Sequence, residues 1–517
     1  MKSLSKKSIY SLLLGATMVF GAGCSKFLDE QDPSNLSPDT YYTIPDHARA
    51  AIASAYAQTR FIGGGAGIFV QNFSLPEVLS GTAKTETGQN SDLNNLIGLS
   101  YNGDNLLINN WWNGCYSVIA QTNLVLQKVP GITPMDPVEK KQILGQAHFL
   151  RGWAYFYLVR MFGDVPLITT PIEGITDSLL YPSRTSQETI YNQIVADLTE
   201  AENAGLPWTD ATGRVSRGAA KGLLAKVYLT MAGYPLQKGQ SHYQLAAEKA
   251  KDVIDNSGYT LFPTYNELHN LSLENRVEHM FQIQYLGGVA DNPFQGVQLP
   301  NFKGVSAYGT EIGSNVPTPA FFGSYEAGDK RTIDREGFFY TSYYTEGNGV
   351  LKQLGNAYIY KHFDIVANGT QGTAGTAVSS LNYPLLRFAD VLLIYAEASN
   401  EVDAAPNAEA WNALKRIRDR AGLTTPAQGT FTKATFREAV WRERWHELAY
   451  EGITWFDMLR LRKGYVEATN SFDEFVGHKF ADNNAVLAEK HLLLPLPTAE
   501  MRNNPNLRPN NNGYPNP

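Results

Sequence analysis

Apolar residues recur at three- and four-residue spacing along most of the chain, the signature of helices with one buried face. The spacing predicts helices over 46–60, 111–129, 138–162, 186–204, 216–233, 243–256, 387–400 and 407–420, and a last helical region over 435–462 with a break near Gly452. In 111–129 the recurring positions are Trp112, Tyr116, Ile119, Asn123 and Leu126. Pro130, Gly131, Pro134 and Pro137 then interrupt the pattern, as residues that cannot continue a helix do. From about 259 to 383 the helical period fails. There, 280–285 (Met-Phe-Gln-Ile-Gln-Tyr) alternates like a half-buried strand, and 358–361 reads as another. Residues 301–315 and 370–380 read as loops.

Two of the helical stretches form pairs of similar composition. Ala225, Tyr228 and Gly233 in one helix face Ala246, Ala247 and Ala250 in the next, small residues that let two helices approach closely. The 387–400 and 407–420 helices repeat the arrangement, and the spacing is similar to that of tetratricopeptide repeats. One pair cannot bury its own apolar face, so a stack of pairs is expected. The predicted fold class is mainly α: a superhelix of tetratricopeptide-like helix pairs with loop-rich insertions and a few short strands.

The amino terminus changes the cellular picture. Lys2, Lys6 and Lys7 precede a mostly apolar stretch at 9–20, and Gly21, Ala22 and Gly23 lead directly to Cys24. This is the layout of an export signal, and the stretch is shorter than the roughly 20 residues a membrane span needs. Small residues ending at a cysteine are similar to a bacterial lipobox, with Gly21 where a larger aliphatic residue is common. Residues 1–23 are read as a signal peptide, and Cys24 as the lipidated first residue of the mature chain. Cys115, the only other cysteine, then has no partner and is expected to be buried. The 517 residues carry a net charge of −7 at pH 7 and no long basic run, so nucleic acid is excluded as a natural partner.

Catalytic and metal motifs are missing. Tyr450 stands where a second histidine would follow His446-Glu447 in a zinc motif, and the nine histidines show no other ligand spacing. The glycines at 63–65 have no Lys-Ser/Thr sequel, so they form no phosphate loop. The charged block around Arg442, Glu443, Arg444, Glu447 and Glu451, with Asp457 and Arg460 three apart, fits struts between helices. No cofactor, metal or catalytic residue is expected. Between Phe321 and Phe363, however, stand eleven Phe and Tyr residues without helical period. A flat ring covers the C–H face of a sugar while amides, carboxylates or guanidiniums bond its hydroxyls. Tyr343 and Tyr344, followed by Thr345-Glu346-Gly347-Asn348-Gly349, read as such a platform at a loop tip. Tyr308 reads the same way. The same rings could instead fill a small core.

Blocks along nearly the whole mature chain resemble the SusD/RagB family. They include the opening Cys24-Ser25-Lys26-Phe27-Leu28-Asp29 and the helix Gln146-Ala147-His148-Phe149-Leu150-Arg151-Gly152-Trp153. Phe162-Gly163-Asp164-Val165-Pro166-Leu167, Leu386-Arg387-Phe388-Ala389-Asp390 and Glu443-Arg444-Trp445-His446-Glu447 follow in the family's order, and Leu494-Pro495-Leu496-Pro497 leads to its terminus. The resemblance implies one domain over 24–517, with an N-terminal helix-pair region (24–258), a loop-rich elaboration (259–383) and a C-terminal helical region (384–517). It implies a non-catalytic lipoprotein, anchored by lipid on the outer-membrane surface of a Bacteroidetes-type bacterium, that binds oligosaccharides. It also implies a partner, a SusC-like TonB-dependent barrel that takes up the captured nutrient. Starch-binding relatives draw ligand contacts from a region comparable to Tyr101-Asn102-Gly103-Asp104 and Trp111, which makes Tyr101, Asn102 and Trp111 candidates. Two rival readings remain open: a surface glycoside hydrolase, which needs two carboxylates about 5–10 Å apart in one cleft, and a helical-repeat scaffold that binds protein or peptide on a concave face.

Overall fold

The computed structural model describes residues 41–65, 71–172, 174, 180–306, 310–371, 375–376 and 378–517. Among them, ten helices run eight residues or longer: α1 (Pro45–Gln58), α2 (Leu106–Lys128), α3 (Pro137–Phe162), α4 (Gln187–Glu202), α5 (Arg217–Ala232), α6 (Gln240–Asn256), α7 (Phe388–Val402), α8 (Ala408–Arg420), α9 (Lys433–Glu447) and α10 (Thr454–Leu461). The four two-stranded antiparallel sheets are formed by β1 (Ala83–Lys84) with β3 (Val316–Pro317), β2 (His279–Ile283) with β6 (Tyr383–Arg387), β4 (Phe339–Tyr344) with β5 (Leu351–Ile359), and β7 (Lys463–Val466) with β8 (Ser471–Glu474).

Each long helix packs on the next: α1 on α2, and so on in series to α7, which meets both α8 and α9. The small-residue pattern is the cause. A Cβ on Gly145 of α3 would fall 2.1 Å from the Ala204 Cβ just beyond α4, and one on Gly114 of α2 would fall 2.2 Å from the Phe61 ring. Both contacts are far inside van der Waals distance, so glycine sets how closely these elements approach. The ends of α3 follow local rules. Asp136 caps its first turn by accepting from the Val138 N–H, Pro137 sits at the first helical position, and Gly163 (φ +73°) ends it.

Helix boundaries match the sequence pattern with one informative exception. Helix α2 begins five residues earlier than the period suggests, because the Asn105 side chain accepts from the N–H groups of Leu107 and Ile108. The last helical region is broken over residues 448–453, around the expected Gly452 (φ +67°), with Tyr450 also at positive φ. The break leaves backbone donors inside the protein, and the buried Glu77 carboxylate accepts from Tyr450 N–H and Gly452 N–H. Cys115 is a free, buried thiol, and burial pushes its pKa up.

The elaboration is an insertion in the stack. Helices α6 and α7 are direct neighbours although 131 residues separate Asn256 from Phe388 in sequence. Strands β2 and β6 close the base of this insertion, with His279 opposite Arg387 and Ile283 opposite Tyr383. Beyond that base, Leu299, Val305, Val316, Tyr340, Tyr343, Leu354, Tyr358, Tyr360 and Phe363 form a small hydrophobic core separate from the main one.

Charged struts tie the stack to the insertion. Arg387, fully buried at the start of α7, bonds Glu451 at 2.6 Å, Glu447 at 3.1 Å and also Glu278. Arg331 pairs with Asp329 at 2.6 Å and with Glu443 at 2.6 Å. A second group joins Arg444 to Asp390 and Asp457, and Arg460 to Asp457 and Glu397. The charged block is structural, as its spacing suggested.

Candidate functional site

The insertion gathers three distant segments into one exposed face. Strand β1 pairs with β3, Lys84 opposite Val316, and just past it the Glu86 N–H donates to the Gly313 carbonyl at 2.7 Å. The Glu86 carboxylate accepts from the Asn301 N–H (3.0 Å), the Asn356 amide (3.1 Å) and the Tyr358 hydroxyl (2.8 Å). One carboxylate therefore holds the loop after Leu299 against the β4–β5 hairpin. A second, buried Glu311, accepts from the backbone N–H of Gly304 (2.7 Å), Val305 and Ser306 (3.1 Å) and fixes the shape of the same loop.

At the crest of this loop stands Phe302. Its φ is +48°, in the left-handed region that a bulky side chain rarely adopts, and its ring is 83% exposed. Glu346, at the hairpin tip, donates its N–H to the Gly304 carbonyl at 3.0 Å, which places Phe302 and Tyr344 on adjoining segments. Tyr344 is half-buried, and the Arg335 guanidinium lies 5.2 Å from its ring centroid. Beside the hairpin runs a groove of about 370 Å³ lined by Phe322, Thr341, Gln353 and Asn356 together with Pro317 and Pro319. The Gln353 amide is exposed and makes no hydrogen bond among the described residues. A ring, amides and hydroxyls thus line this open groove, and Phe302 and Tyr344 stand on the adjoining loop and hairpin tip.

The residues singled out from sequence fall in different places. Tyr344 is on this face. Tyr343, two residues from the tip and opposite Lys352, points inward: it is 4% exposed, and its hydroxyl donates to the Gly369 carbonyl at 2.8 Å. Trp111 is 1% exposed, wedged against Phe61 and Tyr157, with its indole N–H donating to the Asn72 carbonyl at 2.7 Å. Tyr101 is 4% exposed and packs on Tyr514 and His491. As platforms these three are corrected: a ring closed off on both faces by protein has none to offer a solute. Asn102 is exposed, but its side chain accepts from the Asp104 N–H and sits apart from the hairpin face. Cys24 and Tyr308 lie outside the described residues.

Most of the eleven aromatic residues between Phe321 and Phe363 serve packing, with Tyr340, Tyr343, Tyr358, Tyr360 and Phe363 in the small core. Phe302, Phe322, Gln353 and Asn356 were not foreseen. The available signal was Phe302 itself, a lone large ring between Asn301 and Lys303 in a polar, glycine-containing loop.

A serial stack of helix pairs with one long insertion places the chain among the tetratricopeptide-like helical-repeat proteins. Two family models match the chain. The SusD family matches residues 285–514, and a family described as starch-binding and associating with the outer membrane matches residues 26–229. The chain belongs to the SusD family. It is similar to the crystal structure of a SusD superfamily protein from Parabacteroides distasonis, with 37% identity over 93% of this chain and 100% of that one and a TM-score of 0.85. SusD-like protein P2 of Formosa agariphila is 27% identical over 99% of this chain and 100% of its own length. A laminarin-binding SusD-like protein, 24% identical over 92% of this chain and 100% of that one with a TM-score of 0.72, shares the fold.

Proposed function

We propose that this protein is a surface lipoprotein, held to the outer membrane through Cys24, that captures oligosaccharides on the Phe302–Tyr344 face and delivers them to a SusC-like TonB-dependent barrel. The single observation that carries the binding role is Phe302. An exposed large ring on a strained backbone costs stability twice, once in conformation and once in wetted apolar surface. The Glu311 and Glu86 anchors nevertheless hold its loop in place. Such strain is retained where it presents a contact. The laminarin named for the fold neighbour supports a glycan as the ligand, and the second family description supports the outer membrane as the location. Among the described residues no helix is long and apolar enough to cross a membrane; the tether in this reading is a lipid on Cys24, on the strength of the small residues that precede it.

Binding without chemistry is the reading the carboxylates support. Glu86 and Glu311, which border the face, are each committed to three donors that shape loops, and Asp334 is committed to Thr341 and Ser342. The test is titration calorimetry of the purified protein against a panel of oligosaccharides. Phe302→Ala and Tyr344→Ala are each expected to weaken the bound glycan about tenfold or more, the scale of one stacked ring (about 1–2 kcal/mol), with Tm unchanged for Phe302→Ala. Unchanged affinity in both variants, or cleavage of the bound sugar, overturns the proposal.

A further inference from the structure

A second pocket lies in the helical stack and shares no residue with the insertion face. It has a volume of about 190 Å³ and is lined by the end of α3, the start of α4, the end of α5, helix α10 and residues 489–493. At about 30 Å³ per water, that is room for roughly six waters. It is smaller than the 300–1,000 Å³ typical of drug-sized sites.

Its lining is unusually cationic. The Arg160 guanidinium is clamped between two rings, 3.7 Å from the Phe156 centroid and 3.8 Å from that of Phe456, and its Nε donates to the Phe156 carbonyl at 2.8 Å. No described carboxylate lies within ion-pair distance of Arg160, Arg462 or Lys490, all of which line the pocket. The Arg460 charge is already met by Glu397 and Asp457. The remaining acid in the wall, Glu489, is solvent-exposed. Three unmatched cations thus face one exposed carboxylate.

An independent observation points the same way. Tyr191 contributes to the wall of this pocket with a side chain that is 0% exposed, and its hydroxyl has no hydrogen-bond partner among the described residues. A buried hydroxyl without a partner loses stability relative to phenylalanine. Burial also lowers the Arg160 pKa to about 10, the mark of a cation whose desolvation its surroundings do not repay. Both defects are cured by one thing, an anionic acceptor between them.

We propose that this pocket is an anion site for a small organic carboxylate, with Arg160 and the Tyr191 hydroxyl as inner donors and Arg462 and Lys490 at its rim. With Nε given to the Phe156 carbonyl, the two terminal amino groups of the planar Arg160 guanidinium remain to match a carboxylate in geometry as well as charge. Two sources carry that group at this size: a single acidic sugar unit, or a free organic acid. The proposal does not depend on the glycan role of the insertion face.

The test is calorimetric titration of the purified protein with glucuronate and with succinate, using glucose at equal concentration as the neutral control. Saturable binding of either acid, with none of glucose, is expected, and the acid that binds identifies the source. Tyr191→Phe is expected to leave Tm unchanged or raise it while weakening the acid about tenfold, one hydrogen bond to a charged partner. Arg462→Ala with Lys490→Ala, at the rim, is expected to weaken it further without unfolding the protein. No saturable binding of either acid overturns the proposal, as does affinity that survives both the Tyr191→Phe and the rim variants.

Discussion

The helical stack and the insertion solve the same problem, burying enough surface to hold a shape, in opposite ways. The stack uses a long hydrophobic core and spends its charges inside, on networks centred on Arg387, Arg444 and Arg460. The insertion has a second core of nine residues, five of them Tyr or Phe, and fixes its loops with single carboxylates that each gather backbone N–H groups or side-chain donors. Helices satisfy their own backbone, so the stack's polar groups are available for links between elements. Loops do not, so in the insertion the acidic side chains must serve the backbone first. The lesson is that a buried acid can be a strut, as Glu278 and Asp329 are where the insertion meets the stack, or a mould for a loop, as Glu311 is beneath Phe302.

The contrast is tested most strongly at Arg387. Removing one partner from a buried network leaves its acids unpaired, which costs about 3–5 kcal/mol. Arg387→Ala is therefore expected to lower the denaturation midpoint of the whole molecule, seen equally in helical circular dichroism and in protease sensitivity of the insertion. A loss confined to the insertion would mean that the strut belongs to it alone.

Tyr340, fully buried in the small core, tests the other side. Tyr340→Ala should cost about 3–5 kcal/mol, as large aromatic truncations do. The loss should appear as proteolysis within residues 339–359 while the helical dichroism keeps its midpoint. Tyr340→Phe should be close to neutral, because that hydroxyl has no partner. Coincident melting of stack and insertion in Tyr340→Ala would show one cooperative unit and end the comparison.

The finest test is pH. Burial pushes the Glu77 carboxyl up to about 7, against the partial relief from the Gly452 N–H. Between the ordinary carboxylate value and about 7 the folded state keeps a proton that the unfolded chain has released, so stability falls as pH rises across that window and is level above it. The full effect is at most about 3 kcal/mol, and Glu77→Gln should abolish that decline in urea-unfolding free energies measured from pH 4.5 to 8. Glu451 behaves oppositely. Burial alone would raise it, but Arg387 and Lys361 hold it at about 2, so its contribution is present above the unfolded carboxyl value and is lost as pH falls through about 2. A Glu77→Gln variant with the wild-type slope would remove Glu77 as the titrating group.

How much was legible in advance follows the same division. The helices of the stack could be placed because their buried faces repeat in sequence, and the expected break near Gly452 was found at 448–453. The insertion was legible only as a failure of period. Strand β4 was not foreseen, and β5 begins at Leu351 rather than at the expected 358, since its first half is exposed almost throughout, without an alternating pattern, around Gly355 (φ +83°). Aromatic density there marked a core more than a surface. Tyr343 and Tyr344 are neighbours in sequence, yet the pleat of β4 turns one ring inward and leaves the other at the surface.

Sequence by itself determined the helix-pair stack, the family and the structural role of the charged block, because helical period, small residues and i,i+3 charges are local properties. Only the tertiary structure decided which rings reach solvent, that α6 and α7 are neighbours across the insertion, and that Arg160 and Tyr191 share a pocket. Those facts depend on where distant segments meet, and no local pattern encodes the distance between them.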